Sequence, residues 1–262
     1  MIPESAIIEW QNSVPWTDPA QVEQDLIICR ALIEIYKNPL LSRELAFRGG
    51  TALNKLYLSP QPRYSEDIDL VQVNPGPIKP IILAVQKALS FLGKSSVEQK
   101  RNNNTLKFKF ETEIAPLQTM RLKVEINCRE HFNVLGLKRI PLSVDNTWYS
   151  GSAPLLTYDF NELIGTKLRA LYQRKKGRDL FDLFRASKYA NLDVDKVIEC
   201  YRRYMEFSDG TPPTQRQFLM NMDEKMEDED FLNDTFPILR IGEDFIPKES
   251  YEIVKNTFIS RL

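Results

Sequence analysis

The sequence predicts an α+β protein in which a mixed sheet with helices fills residues 1–150 and a helical lobe fills residues 151–262. Three observations carry this expectation. A short apolar stretch at 44–48 runs into Gly49-Gly50 and then into apolar residues at helical spacing over 51–58, the pattern of strand, glycine turn and helix. Segments with period-two alternation follow at 65–73, 105–111 and 121–127. From Asn161 onward, helical periodicity replaces alternation.

Taken in order, residues 21–36 place Leu26, Ile27, Ala31, Leu32 and Ile35 on one stripe, an amphipathic helix entering the core. Pro60 and Pro62 close the helix that follows the glycine turn. The strand over 65–73 puts Asp67 and Asp69 on one face, with Ser65 two residues before them on the same side. A proline-rich loop at 74–80 leads to an apolar helix over 81–92. In the strand at 121–127, Leu122, Val124 and Ile126 face one way and Lys123, Glu125 and Asn127 the other. Strand signals nearly stop after Gly151, so a boundary is expected near Ser150. Asp159 with Glu162 three residues on reads as a capping box opening a helical stretch that contains Leu163, Ile164, Leu168, Leu171, Leu180, Leu183 and Phe184.

Composition names no partner. Hydrophobic residues at 42% and charged residues at 27% are ordinary for a globular protein, and a formal net charge of −1 leaves no overall field to attract a polyanion. Any nucleotide or nucleic-acid ligand must be met by clustered Lys and Arg. Cys29, Cys128 and Cys200 show no paired spacing, which argues against a disulfide framework and a zinc site and fits a reducing cytoplasm. No leader and no membrane-spanning run is read from the sequence. The acidic run at 223–230 reads as a solvated face, His131 as structural or exposed, and Phe108, Phe110, Tyr172, Phe181 and Phe184 as packing residues.

The chemistry converges on 47–70. Two aspartates at i and i+2 on a strand project together and call for a cation, and magnesium takes oxygen ligands while keeping positions open for phosphates. Gly49-Gly50 at a strand-to-helix junction lets backbone N–H groups and a helix N-terminus approach a phosphate. Glu125 is the candidate third carboxylate. Together Asp67, Asp69 and Glu125 describe a two-metal phosphoryl-transfer site, with manganese as an alternative ion. Each piece alone has a plainer reading, an exposed strand face or a tight turn; their order and spacing favour the site. Further on, Lys167, Arg174 and Arg178 form one basic stripe if a single helix spans them, unless Gly177 breaks it. Asp179 and Asp182 share a helix face, and either orient those arginines or serve as general base. A solvated charged face is the plainer alternative.

Phe47-Arg48-Gly49-Gly50-Thr51-Ala52-Leu53 followed by Arg63-Tyr64-Ser65-Glu66-Asp67-Ile68-Asp69-Leu70 resembles the first motif of the AbiEii/AbiGii-type nucleotidyltransferase toxins. Lys123-Val124-Glu125-Ile126 resembles the second, Lys167 the third, and Arg178-Asp179-Leu180-Phe181-Asp182 the fourth, so the likeness spans Phe47 to Arg185. It implies a polymerase-β-like domain that transfers a nucleotide from an NTP to an RNA acceptor, tRNA being suggested, in a bacterial toxin–antitoxin or phage-defence system. It also implies nucleotide contacts from Gly49, Gly50, Thr51, Arg63, Ser65, Lys123 and Arg178, and catalytic roles for Asp67, Asp69, Glu125, Lys167, Asp179 and Asp182. Many nucleotidyltransferases have Gly-Ser where Gly49-Gly50 stands, and Thr51 is the candidate substitute hydroxyl. A phosphate on Ser65 would place negative charge beside the nucleotide, a route by which a kinase-like antitoxin would neutralise the protein. Alternative readings are a small-molecule nucleotidyltransferase, a metal-dependent nuclease, and a non-catalytic binding module on the same fold.

Overall fold

The computed structural model describes residues 2–262, and the chain divides into two units, residues 2–132 with 137–158 and residues 133–136 with 159–262. In the first unit, α1 (Glu4–Gln11), α2 (Pro19–Lys37) and α3 (Pro39–Glu44) precede the glycine turn between β1 (Leu45–Arg48) and α4 (Gly49–Leu56). The remaining elements are β2 (Asp67–Gln72), α5 (Lys79–Ala88), β3 (Ser95–Lys100), β4 (Asn103–Glu111), β5 (Thr119–Asn127), β6 (Leu137–Val144) and β7 (Gly151–Tyr158). All seven strands form one sheet in the order β3-β4-β5-β2-β1-β7-β6. It is mixed: β2 runs parallel to β5 and β1 parallel to β7, while the other neighbours are antiparallel.

Register decides which residues share a face. Asp67 pairs with Lys123 and Asp69 with Glu125 across β2 and β5, and Arg48 pairs with Asp69 across β1 and β2. On the opposite face Ile68, Leu70, Leu106, Phe108, Leu122, Val124 and Ile126 are each at most 1% exposed. Fully burying such side chains stabilises by about 1.5–3 kcal/mol each, and a one-residue slip of β2 would send the aspartates into that core. Helix α2 packs on the sheet, its N-terminus capped by Asp18, which accepts from the Ala20 N–H at 2.9 Å. Tyr36 near its end places its hydroxyl 3.1 and 3.0 Å from the Leu45 and Leu156 carbonyl oxygens, its one proton shared between them, tying the helix to β1 and β7.

The second unit is helical: α6 (Phe160–Gln173), α7 (Gly177–Ser187), α8 (Val194–Asp209), α9 (Gln215–Met226), α10 (Glu229–Asn233) and α11 (Pro247–Thr257). Three expectations change here. The boundary falls after Tyr158 and not near Ser150, because β7 is a full strand of the sheet. Asp159 does cap α6, accepting from the Asn161 N–H at 2.8 Å, but Glu162 does not turn back to complete a capping box. Its carboxylate accepts from the Val134 and Leu135 N–H groups, both at 2.9 Å, and from the Tyr204 hydroxyl at 2.8 Å, which is why residues 133–136 join this unit. The acidic run is only partly a solvated face, since Lys225 within it is buried and caps α6 by donating to the Leu171 and Tyr172 carbonyls.

Of the five aromatics expected to pack, Phe108, Phe181 and Phe184 are buried, and Phe110 and Tyr172 are half-buried. Half-buried His131 places Nδ1 2.7 Å from the Gln72 carbonyl, a structural contact. The three cysteines are free thiols, and no helix among the described residues is long and apolar enough to cross a membrane.

Candidate active site

Helix α4 starts at the glycine pair, and its N-cap, Arg48, offers no side-chain hydrogen bond to the leading N–H groups. Gly49 has φ +79°, and a Cβ there would collide with Asp69 Oδ2 and come within 3.0 Å of its Cβ and Cγ. Glycine is therefore required both by the backbone and by the carboxylate packed against it. A Cβ on Gly50 would lie 2.5 Å from Arg63 Nη2 and 3.5 Å from Ser65 Oγ. Buried Arg63 also donates to the Tyr64 carbonyl at 3.0 Å, so its planar head backs the turn as a fixed part. Thr51 Oγ1 donates to the Asp67 carbonyl at 2.5 Å and lies 2.7 Å from Ser65 Oγ. With its one proton committed to Asp67, Thr51 is the acceptor and Ser65 the donor of the second bond. Ser65 precedes β2 rather than lying on it, and reaches the site through Thr51. Gly49, Gly50, Thr51, Arg63, Ser65, Asp67 and Asp69 thus come together in the first unit.

The electrostatics of this corner are those of crowded acids. Burial first, and then the carboxylates of Asp69, Glu66 and Glu125, push the Asp67 carboxyl up to about 6, against the opposing pull of Lys123. A divalent cation would relieve that crowding, so Asp67 and Asp69 fit one. Glu125, in register with Asp69, forms an ion pair with Lys123, and its Oε2 accepts from Asn103 Nδ2 at 3.3 Å. Among the described residues no group of three or more His, Cys, Asp or Glu side chains is gathered for a metal, so the fit rests on the two aspartates. Beside Asp67 opens a cavity of about 470 Å³ whose lining includes Gln24, Glu66, Arg121 and Lys123.

Two supporting arrangements had no signature in the sequence. Lys55, on α4, makes a buried ion pair with Asp25 of α2 at 2.7 Å, and the same carboxylate accepts from the indoles of Trp10 at 3.2 Å and Trp16 at 3.1 Å. This knot ties α4, and so the glycine turn, to the helix behind it. Arg48 pairs with Glu130, which fixes the residue that precedes Gly49. No regular spacing links Trp10, Trp16, Asp25 and Lys55.

In the second unit the expected basic stripe is broken, since α6 ends at Gln173 and α7 begins at Gly177. Lys167 Nζ lies 3.0 Å from Asp179 and 2.7 Å from Asp182. Arg174 makes a two-point contact with Asp179, at 2.6 and 2.8 Å. Burial would raise the Asp179 carboxyl, but Lys167 and Arg174 outweigh it and hold it below the usual carboxylate range. Both aspartates are wholly buried. In this geometry both aspartates pair with Lys167, and Asp179 with Arg174 as well. Arg178 is not part of this cluster: its backbone N–H donates to Asp234 at 3.2 Å and its Nε lies 3.9 Å from the same carboxylate.

The fold has solved counterparts. MenT4, a nucleotidyltransferase toxin of Mycobacterium tuberculosis H37Rv, superposes with a TM-score of 0.64 at 15% identity over 100% of this chain and 91% of that one. JHP933 from Helicobacter pylori gives a TM-score of 0.58 at 15% identity over 92% of this chain and 90% of that one. No curated protein matches the sequence. The family model described as nucleotidyl transferase AbiEii toxin of type IV toxin–antitoxin systems matches residues 30–249, a span that takes in the glycine turn, the aspartate pair and the Lys167 cluster, and the chain belongs to that family of nucleotidyltransferase toxins.

Proposed function

We propose that the protein transfers a nucleotidyl group from an NTP to a hydroxyl of an RNA, with tRNA as the acceptor, and that Asp67 and Asp69 hold the divalent cation the reaction uses. The observation that carries this reading is the packing of the Asp69 carboxylate against Gly49 at the uncapped start of α4. One element there offers N–H groups to phosphate while its neighbour offers carboxylates to a cation. The acceptor oxygen would attack the α-phosphorus, the bond from that phosphorus to the bridging oxygen would break, pyrophosphate would leave, and the hydroxyl proton would pass to solvent or a base. A bound magnesium or manganese ion would neutralise phosphate charge and make the acceptor hydroxyl more acidic.

The chain's own groups have distinct parts in this scheme. The N–H groups at Gly49, Gly50 and Thr51 orient the triphosphate, and the Thr51–Ser65 hydroxyl pair holds the turn to β2. Arg63 adds fixed positive charge behind Gly50, and Lys123 places an ammonium beside Asp67. Lys167, Asp179 and Asp182 are positioning residues that lock α6 to α7 and present Arg174. The setting is a cytoplasm that supplies NTP and RNA, and a cognate antitoxin is the expected protein partner, in keeping with the family's description.

The test incubates the protein with magnesium, each α-labelled NTP in turn, and either total tRNA or a panel of hydroxyl-bearing small molecules. Label on tRNA supports the reading. Label on a small molecule alone assigns the acceptor to that class, and metal-dependent nucleotide binding without transfer to either removes RNA as acceptor.

A further inference from the structure

The polar face of β4 and β5 contains an arrangement that sheet stability alone disfavours. Lys107 stands directly opposite Lys123, and Lys109 directly opposite Arg121, so two like-charge pairs are adjacent in one antiparallel ladder. Like charges in directly opposed positions are destabilising. Partial compensation exists for the first pair: Lys107 meets Glu98 at 2.9 Å, and Lys123 meets Glu125. The second pair has none. Lys109 and Arg121 are exposed, and among the described residues neither side chain makes an ion pair or hydrogen bond.

Position gives the arrangement its meaning. Asp67 is in register with Lys123, and Lys123 with Lys107, so one row across three strands runs from the catalytic aspartate outward through two cations. Arg121 and Lys109 form the next row on the same face, because residues two apart on a strand point the same way. With neighbouring strands roughly 4.8 Å apart, the four cations lie within about 10 Å of the β2 strand, measured across the sheet. Arg121 and Lys123 line the cavity of about 470 Å³ that opens at Asp67. The face therefore leads from a reacting centre to uncompensated positive charge, in a protein whose net charge is −1.

We propose that this ladder is the acceptor track: Arg121 and Lys109, assisted by Lys107 and Lys123, hold the sugar-phosphate backbone of the RNA whose terminal hydroxyl is delivered to Asp67. The inference rests on the RNA reading of the preceding subsection. Phosphate contacts of this kind fix position without reading sequence. They also make binding dependent on salt, since each neutralised phosphate of a single strand contributes a slope of about −0.7 in log K against log salt. An acidic protein would satisfy the same cations, but a macromolecule that must bring a hydroxyl to Asp67 explains why they share its row.

The decisive comparison is between the wild-type protein and K109E, an exposed substitution that does not line the cavity at Asp67. Binding of labelled total tRNA is measured across a salt series, beside NTP affinity and label transfer. The expected result is roughly fivefold or greater weakening of RNA binding with a salt slope shallower by about 0.7, and unchanged NTP affinity. Wild-type RNA affinity and slope in the variant, with label still moving to RNA, would overturn the track while leaving the RNA reading intact. If wild-type protein neither binds nor labels RNA, both fall together.

Discussion

At Asp67 the proposed chemistry and the acid–base behaviour meet. Its carboxyl is pushed up to about 6 by burial and by neighbouring carboxylates, so below that value a proton would compete with the proposed cation for the same oxygens. Apparent magnesium affinity should tighten as pH rises towards 6 and level off above it, and calorimetric titration at several pH values would show this; a flat profile from pH 5 to 7 would contradict it. Gly49→Ala tests the neighbouring contact, because the new methyl meets the Asp69 carboxylate and the backbone requires positive φ. Transfer should fall by roughly 100-fold, comparable to losing a major electrostatic stabiliser, for a stability cost of only about 1–2 kcal/mol in a urea titration. Gly49, Gly50, Asp67 and Asp69 were legible in the sequence because strand and turn geometry fix their directions locally. Glu125 stands on the face the sequence assigned to it, in register with Asp69, and there Lys123, two residues away on the same strand, pairs with its carboxylate.

At the scale of elements, the central strands and the long helices followed from periodicity, whereas β3, β6 and β7 did not. Strand β3 is an exposed edge with one apolar residue, and Pro141 of β6 sits opposite Pro154 of β7, a pairing tolerated at the sheet margin that masks the strand pattern in sequence. The split of α6 from α7 was left open by Gly177, and it decides the fate of the expected basic stripe, sending Lys167 and Arg174 to Asp179 and Arg178 to Asp234. The Asp25–Lys55 knot was invisible because its members are brought together only by tertiary packing. Lys55→Met should cost about 3–5 kcal/mol by leaving Asp25 charged and buried, and adding Asp25→Asn should recover part of that loss. Additive costs in the double-variant cycle would show that the pair does not anchor α4.

For the whole molecule, near-neutral net charge and ordinary composition conceal local organisation: crowded carboxylates at one corner of the sheet, unopposed cations beside them, and a neutralised ionic cluster in the helical unit. Family membership assigns the reaction class, and the packing of Asp69 against Gly49, with Asp67 beside it, is the arrangement proposed to serve it. The most direct test is the intact mass of tRNA after incubation with NTPs and magnesium, comparing wild type with Asp67→Ala/Asp69→Ala. With wild type, tRNA is expected to gain the mass of one or more nucleoside monophosphates, and the double variant is expected to slow this by at least ~10²-fold. Transfer at an undiminished rate by the double variant, or no added mass with wild type under conditions where it binds NTP, would contradict the proposed reaction.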